Sequence, residues 1–322
     1  MMKLPELSDL QAAGELVHRS VAPTAQICWP LLSQRAGAEV WVKHENHAPT
    51  GSFKVRGGLV YMDQLKQRGS IRRVLAATRG NHGQSIAFAA SRAGLLATIV
   101  VPQGNSPGKN AAMRALGAEL IVNGNDFQEA LEFTTTLADE DGVEVVPSFD
   151  MTLVRGVACY ALELFYAAPD LDTVYVPIGL GSGICGVIAA RDSLGLKTKV
   201  VGVVSKQAAS YALSFEAGEP VTTTSADTLA DGLACRVPVV EALDIVRARA
   251  ERIVQVSEDE IIAAMGHYLT DTHNLAEGAG AAPLAALLKE KQQIAGRKVG
   301  LILSGGNADT PLIKRALAHV AS

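Results

Sequence analysis

The sequence predicts an α/β protein built on open, mainly parallel sheets that are flanked by helices. Short apolar runs rich in β-branched residues alternate with stretches of helical periodicity through most of the 322 residues. Continuous apolar runs are typical of strands that are buried on both faces, as in parallel sheets. Several of these runs end in polar, glycine-containing turns that open the next helix, which is the usual connection in this class.

The predicted strands are short apolar runs separated by stretches of helical periodicity. They cover residues 38–43, 74–77, 97–101, 119–122, 173–177, 199–204 and 298–303. An alanine-rich helix is predicted over residues 85–93, and further helices are predicted to begin at Lys54 and after the segment 179–183.

The predicted strands fall into two groups along the chain. A self-contained βαβα unit predicts a small domain over residues 61–148. The remaining strands predict a second, larger sheet, so residues 1–60 and 149–322 are assigned to a large domain. In α/β proteins the cleft between such units is the expected place for a ligand.

Composition restricts the class of protein. The length and the 48% hydrophobic content allow one large or two ordinary cores. A formal charge of −4, without basic stretches interleaved with aromatics, argues against a nucleic-acid surface. No apolar run reaches the roughly 20 residues needed to cross a bilayer, and the N-terminus lacks the layout of a secretion signal. A cytoplasmic protein that acts on small molecules is therefore expected.

The four cysteines are far apart and have no histidines at metal-ligand spacing. This pattern predicts reduced thiols, without a disulfide framework or a zinc site.

Lys54 lies in the run from Glu45 to Gly58, where a polar turn delivers one lysine to the start of a helix. A cation at a helix N-terminus is disfavoured by the helix dipole, and partial burial disfavours it further. The ammonium should therefore lose its proton readily, and a neutral amine is what Schiff-base chemistry with an aldehyde requires. The alternative is an ordinary surface lysine.

The segment 179–183, Gly-Leu-Gly-Ser-Gly, follows a predicted strand and opens an alanine-rich helix. Glycines at such a turn allow backbone N–H groups to surround an anion at the helix N-terminus, which predicts a phosphate site. The segment lacks the Gly-Lys-Ser/Thr ending of a nucleotide P-loop, and its glycine spacing is not that of a dinucleotide site. The alternative is a tight turn without a ligand.

Two further segments complete a set of four motifs, and they are Thr78-Arg79-Gly80-Asn81-His82-Gly83-Gln84 and Ser304-Gly305-Gly306-Asn307. In order and spacing, the four motifs resemble the serine/threonine dehydratase (ammonia-lyase) branch of the fold type II, tryptophan-synthase-β-like enzymes. The resemblance runs through nearly the whole chain. It implies a two-domain enzyme with pyridoxal 5'-phosphate in the interdomain cleft, and it implies a homodimer.

The resemblance also implies roles for individual residues. Lys54 would hold the cofactor as a Schiff base and remove the substrate α-proton, and Ser304 would hydrogen-bond the pyridine nitrogen. A neutral hydroxyl there does not enforce protonation of that nitrogen, which suits β-elimination better than transamination. The implied cofactor-binding residues are Phe53, Lys54, Asn81, Gly179, Leu180, Gly181, Ser182, Gly183, Glu277 and Ser304. The implied substrate-binding residues are Ser52, Thr78, Arg79, Gly80, Asn81 and His82, and His82 is given no catalytic role.

Arg79 departs from the pattern of the racemases in this branch, which have a serine at that position as a second acid/base. An arginine stays protonated and cannot exchange protons at neutral pH, so racemisation is not expected. Its guanidinium could instead bind a second carboxylate of the substrate, or it could face solvent or pair with a local acid. Arg155 is a second candidate of the same kind.

No metal site is predicted. Many relatives bind a divalent cation through two acids at positions where this chain has Val204 and Ser210, and neither is an adequate ligand for a hard cation. Lys206, which lies between them, would either supply the missing positive charge or be solvated.

The expected function is the conversion of a β-hydroxy-α-amino acid, similar to threonine or serine, to a 2-oxo acid and ammonia. One alternative is a hydroxyaspartate or phenylserine dehydratase with an altered side-chain pocket. The same fold would also allow an amino-acid racemase or a β-replacement enzyme. A non-catalytic alternative is a relative that keeps the same fold and senses a ligand.

Overall fold

The computed structural model describes residues 4–138 and 141–321, which form ten strands and thirteen α-helices. The strands are β1 (Gln26–Cys28), β2 (Glu39–His44), β3 (Arg73–Ala77), β4 (Leu96–Val101), β5 (Glu119–Val122), β6 (Val143–Val145), β7 (Thr173–Pro177), β8 (Lys199–Ser205), β9 (Arg252–Val256) and β10 (Lys298–Leu303). The helices are α1 (Leu7–His18), α2 (Pro30–Ala36), α3 (Lys54–Arg68), α4 (Asn81–Ala93), α5 (Pro107–Ala115), α6 (Phe127–Thr136), α7 (Met151–Ala167), α8 (Ser182–Ser193), α9 (Ser210–Ala217), α10 (Val240–Arg249), α11 (Glu258–Thr272), α12 (Gly278–Lys289) and α13 (Thr310–Ala321). Short 3-10 turns cover Glu45–His47, Lys206–Ala208 and Asp231–Leu233.

The larger sheet has the strand order β1-β2-β10-β7-β8-β9, and all of its pairings are parallel except that of β1 with β2. Because β10 lies between β2 and β7, the carboxyl ends of these three strands meet at one edge of the sheet. The segments that follow them are the Lys54 motif, residues 304–307 and residues 179–183. Three of the four motifs therefore converge, although they are far apart in sequence.

The smaller sheet has the order β5-β4-β3-β6, and its pairings are all parallel. Its central strand β3 leads directly into the fourth motif, at the start of α4. Helix α3 packs on this sheet, since Val55, Leu59 and Met62 belong to the same buried cluster as Val74 and Ile99. The boundary predicted after residue 60 thus falls within α3, and the division into domains stays a proposal.

All the predicted strands are present. The helix predicted over residues 85–93 lies within α4, so the α/β class is confirmed. Sequence reasoning missed β1, β6 and β9. Each of these lies at the edge of a sheet, and each is only partly buried. Edge strands need fewer apolar residues, so their sequence pattern is weak.

The four cysteines are free thiols, as predicted, and Cys159, Cys185 and Cys235 are buried. Burial raises the pKa of Cys185 to about 12. Within the described ranges, no helix combines the length and the apolar character that crossing a bilayer requires.

Candidate active site

Backbone contacts tie the Lys54 segment to the end of β10. The N–H of Phe53 donates to the carbonyl oxygen of Ser304 at 3.0 Å, and Ser52 forms a β-bridge with Gly305. Helix α3 begins at Lys54, so the lysine lies at a helix N-terminus as the sequence predicts. These contacts place Lys54 beside Ser304, both of which the resemblance assigned to the cofactor.

The Lys54 amine is poised to lose its proton. Burial lowers its pKa to about 8, and the nearby Glu277 carboxylate opposes this shift. The Nζ atom lies 5.2 Å from the ring centre of Phe53 and has no hydrogen-bond partner in the part of the chain that the structure describes. The lowered pKa makes the uncharged, nucleophilic form of this amine far more abundant near neutral pH than it is in a solvated lysine.

The segment 179–183 forms a tight turn between β7 and α8. Gly181 has a φ of 104°, and a Cβ there would lie 2.5 Å from Cβ of Ala242. A Cβ on Gly179 would clash with the carbonyl oxygen of Gly232. The turn is held from behind, because the hydroxyl of Tyr211 donates to the carbonyl oxygen of Leu180 at 2.9 Å.

This turn fits a phosphate. Helix α8 begins at Ser182 and has no acid in its first turn, so its first N–H groups and its dipole favour an anion. The glycines allow close approach that side chains would block. The residues present are therefore suited to hold the phosphate of the predicted cofactor.

Asn81 is fixed by contacts on both sides of its amide. Its Nδ2 donates to Oε1 of Glu277 at 2.7 Å, and its Oδ1 accepts from Nδ2 of Asn307 at 2.8 Å. The second contact gives Asn307 a positioning role, which the sequence analysis did not assign to it. Since α4 begins at Asn81, its first N–H groups are left without helical partners and can bind an anion.

Glu277 is buried immediately before α12, and its N–H donates to the carbonyl oxygen of Gly305 at 3.0 Å. Burial raises the pKa of its carboxyl group, while the hydrogen bond from Asn81 and the charge of Lys109 act against the rise. Glu277 therefore contacts both Asn81, which follows β3 of the smaller sheet, and Gly305, which follows β10 of the larger sheet.

Two buried polar atoms near Lys54 have no hydrogen-bond partner among the described residues, namely Oγ of Ser52 and Nε2 of His82. Burial, together with the charge of Lys54, lowers the pKa of His82 to about 3, although a hydrogen bond to the backbone of Val146 opposes the shift. The ring is therefore neutral at physiological pH. Unpartnered buried polar atoms are rare in folded proteins and are expected where a polar ligand binds.

A cavity between the two sheets brings most of the predicted site residues together. It is lined by Lys54, Thr78, Arg79, Gly80, Asn81, His82, Lys109, Phe127, Ser148, Gly179, Leu180, Asp231, Gly232, Ala234 and Glu277. The predicted residues Ser52 and Ser304 are buried just behind this wall, and Ser182 is buried at the start of α8. Gly183 follows in the same helix, and Tyr160 Oη donates to its carbonyl oxygen at 3.1 Å.

Sequence reasoning missed Lys109 and Asp231, which form an ion pair across the cavity wall. Burial alone would lower the pKa of Lys109, but Asp231 keeps it above its ordinary value. The start of α5 at Ser106-Pro107 was a readable helix signal. Nothing local to the sequence indicated that Lys109 would meet a residue 122 positions away.

The remaining candidates from the sequence lie in different surroundings. Arg79 is exposed and lines the cavity, whereas Arg155 does not line it and contacts Thr152 at 3.5 Å. Lys206 is exposed. Ser210 is buried, and its hydroxyl donates to the carbonyl oxygen of Cys235 at 2.8 Å.

Comparison with known proteins agrees with this geometry. The family model described as pyridoxal-phosphate dependent enzyme matches residues 17–305. The L-threonine ammonia-lyase of Thermotoga maritima is 36% identical over 312 residues, which are 97% of this chain and 78% of that protein. The chain belongs to the pyridoxal-phosphate-dependent enzymes, in the threonine dehydratase branch. This assignment confirms the predicted family, fold type and cofactor.

Solved structures of this family share the fold over nearly the whole chain. The processed form of threonine deaminase isoform 2 from Solanum lycopersicum is similar with a TM-score of 0.90 and 27% identity, covering 100% of this chain and 96% of that one. A pyridoxal 5'-phosphate-dependent aspartate racemase is similar with a TM-score of 0.90 and 27% identity, covering 97% and 98%. Both eliminating enzymes and racemases therefore share the fold, and individual residues must decide between the two activities.

Proposed function

We propose that this pyridoxal-phosphate-dependent enzyme is a carbon–nitrogen lyase that converts a β-hydroxy-α-amino acid, such as threonine or serine, to a 2-oxo acid and ammonia. One observation carries the proposal: Lys54, an amine with a lowered pKa, shares a cavity with the N-terminus of α4, which can bind a carboxylate. The substrate carboxylate and the base would then lie in the same cavity.

Each residue has a defined part in this scheme. The turn 179–183 would hold the cofactor phosphate, Ser304 would hydrogen-bond the ring nitrogen, and Asn81 would contact the ring oxygen. The cofactor, when bound, withdraws electrons from the substrate α-carbon and so makes its proton acidic. Lys54 Nζ removes that proton as general base. The loop 78–82, with Ser52 beside it, holds the substrate carboxylate in place.

The elimination and the hydrolysis that follows it need no reagent beyond the substrate, because the water released in the first step equals the water used in the second. The α-proton and the β-hydroxyl leave as water, and the unsaturated amine that results is hydrolysed to the 2-oxo acid and ammonia. Proton transfer from one face is sufficient for this outcome. Racemisation would need a second acid/base on the other face, and Arg79, which is always protonated, cannot serve as one.

The finer assignments belong to the same proposal. We assign residues 61–148 to a small domain because they carry their own sheet, and we assign the rest to a large domain. A cytoplasmic homodimer is proposed by analogy with the family. Sedimentation analysis would test the dimer directly, and a monomer with full activity would contradict it.

The lyase is tested with purified protein, pyridoxal phosphate and a panel of serine, threonine, hydroxyaspartate and phenylserine stereoisomers, by measuring 2-oxo acid release. We expect turnover on at least one isomer. In Lys54→Ala it should fall by about 10³-fold or more, because both the covalent anchor and the base are lost. Unchanged circular dichroism of the variant would show that the loss is chemical.

Absence of 2-oxo acid from every isomer, with cofactor bound, would contradict the lyase. Turnover that appears only when a thiol or indole is added would then indicate a β-replacement enzyme. Ligand binding that Lys54→Ala leaves intact, without any turnover, would indicate a sensing relative.

A further inference from the structure

Arg79 lies in the short loop between β3 and α4, at the edge of the candidate active site. Its side chain is exposed, yet the residue lines the same cavity as Lys54. The backbone on either side is fixed, because Thr78 and Gly80 are buried and the N–H of Gly80 donates to Oγ1 of Thr78 at 3.0 Å. The guanidinium is thus carried on a rigid loop at the mouth of the cavity.

The charges of this cavity are otherwise accounted for. Lys109 is paired with Asp231, and Glu277 accepts a hydrogen bond from Asn81. Lys54 is the cofactor lysine. Within residues 4–138 and 141–321, Arg79 has neither an acid nor a hydrogen-bond acceptor as partner. Its charge is therefore available to pair with a ligand.

The position of Arg79 defines what it could bind. The first turn of α4, which directly follows the loop, offers N–H groups to the α-carboxylate of the substrate. A guanidinium beside it can donate two parallel hydrogen bonds to a second carboxylate. Among the negative groups of the cavity, Asp231 is paired with Lys109, and the charge of Glu277 is offset by the nearby charges of Lys109 and Lys54.

We propose that Arg79 determines specificity by binding a carboxylate on the substrate side chain, so that the preferred substrate is a β-hydroxy-α-amino dicarboxylic acid such as 3-hydroxyaspartate. The inference rests on the proposed lyase activity and narrows its substrate class. Arg155 offers a matched control, because it is an arginine of the same chain that does not line the cavity.

The first experiment compares kcat/KM for 3-hydroxyaspartate and for threonine, each as separate stereoisomers, in the wild type, Arg79→Gln, Arg79→Lys and Arg155→Gln. The wild type should prefer the dicarboxylic substrate. Arg79→Gln should lower the ratio of the two kcat/KM values by about ten- to a hundredfold, the usual weight of a charge-assisted pair. Arg79→Lys should restore part of the ratio, and Arg155→Gln should leave it unchanged.

A second experiment does not depend on turnover. The dissociation constants of aspartate and 2-aminobutyrate, which lack the β-hydroxyl, are measured from the absorbance change of the holoenzyme. We expect aspartate to bind more tightly in the wild type and to lose that advantage in Arg79→Gln. If no substrate is turned over, the lyase proposal fails, and these constants alone decide the role of Arg79.

Equal losses on both substrates, or equal binding of both ligands in the wild type, would overturn the role of Arg79 in specificity. Loss of cofactor from Arg79→Gln, measured by absorbance after gel filtration, would also overturn it. In that case the partner of the guanidinium would be the cofactor phosphate.

Discussion

Two charged residues on helix α3 have opposite surroundings, although only one position separates them. Arg56 is fully buried, and it donates to Oε2 of Glu45 at 2.7 Å and to Oε1 of Glu163 at 2.6 Å. Lys43 joins the same two carboxylates from β2. Among the residues that the structure describes, Lys54, at the start of the helix, has no such partner.

The effect on protonation differs accordingly. Burial alone would lower the pKa of Arg56, but its acids raise that pKa well above the ordinary value. Burial lowers the pKa of Lys54 to about 8, because Glu277 compensates only in part. The acids of the cluster keep Arg56 protonated and hold α3 in place, whereas the lowered pKa of Lys54 favours its neutral, reactive form.

Breaking the paired cluster should have the largest effect on stability. Arg56→Met leaves Lys43 as the one buried cation that faces both Glu45 and Glu163, and we expect the free energy of unfolding to fall by about 3–5 kcal/mol. Urea unfolding followed by circular dichroism measures this loss. Arg68→Met, at the exposed end of the same helix where Arg68 meets Glu144 at 3.3 Å, should cost about 1 kcal/mol or less. If the two variants lost the same free energy of unfolding, the buried cluster would stabilise α3 no more than the exposed pair of Arg68 and Glu144 does.

A smaller effect, on the affinity for the cofactor, is expected from a change in the turn 179–183. Gly181→Ala forces a side chain into a left-handed φ of 104° and against Ala242, which should weaken cofactor binding by about tenfold or more. Gly195→Ala is the control, since its φ is 65° but open space surrounds it at the end of α8. Fluorescence titration with pyridoxal phosphate should separate the two variants, and unchanged affinity in Gly181→Ala would exclude this turn as the phosphate site.

The smallest effect concerns the protonation of Lys54. Covalent attachment of the cofactor needs the free amine, so its rate in the apoprotein should rise with pH and reach half its maximum near pH 8. Glu277 raises the pKa of Lys54, so Glu277→Gln should move this midpoint to lower pH, by less than one unit. Stopped-flow absorbance across pH 6 to 10 measures both curves. A midpoint near the pKa of about 10.4 of a solvated lysine would show that burial does not activate Lys54.

The sequence by itself determined the α/β class, the strands of the sheet interiors, Lys54 at the start of α3 and the glycine turn before α8. These features are local: a periodic apolar pattern specifies a buried strand, and glycines before a helix specify a tight turn, for which an anion site is predicted. The cofactor family followed from four such motifs in order.

Only the tertiary structure decided which charges meet. Asn81 and Glu277 are 196 positions apart and Lys109 and Asp231 are 122 apart, so their contacts depend on the order of strands in both sheets. The sequence treated Arg79 and Arg155 alike, and the fold placed only Arg79 at the cavity. The arrangement of the two sheets decides which of these distant side chains meet. No local sequence pattern encodes that arrangement.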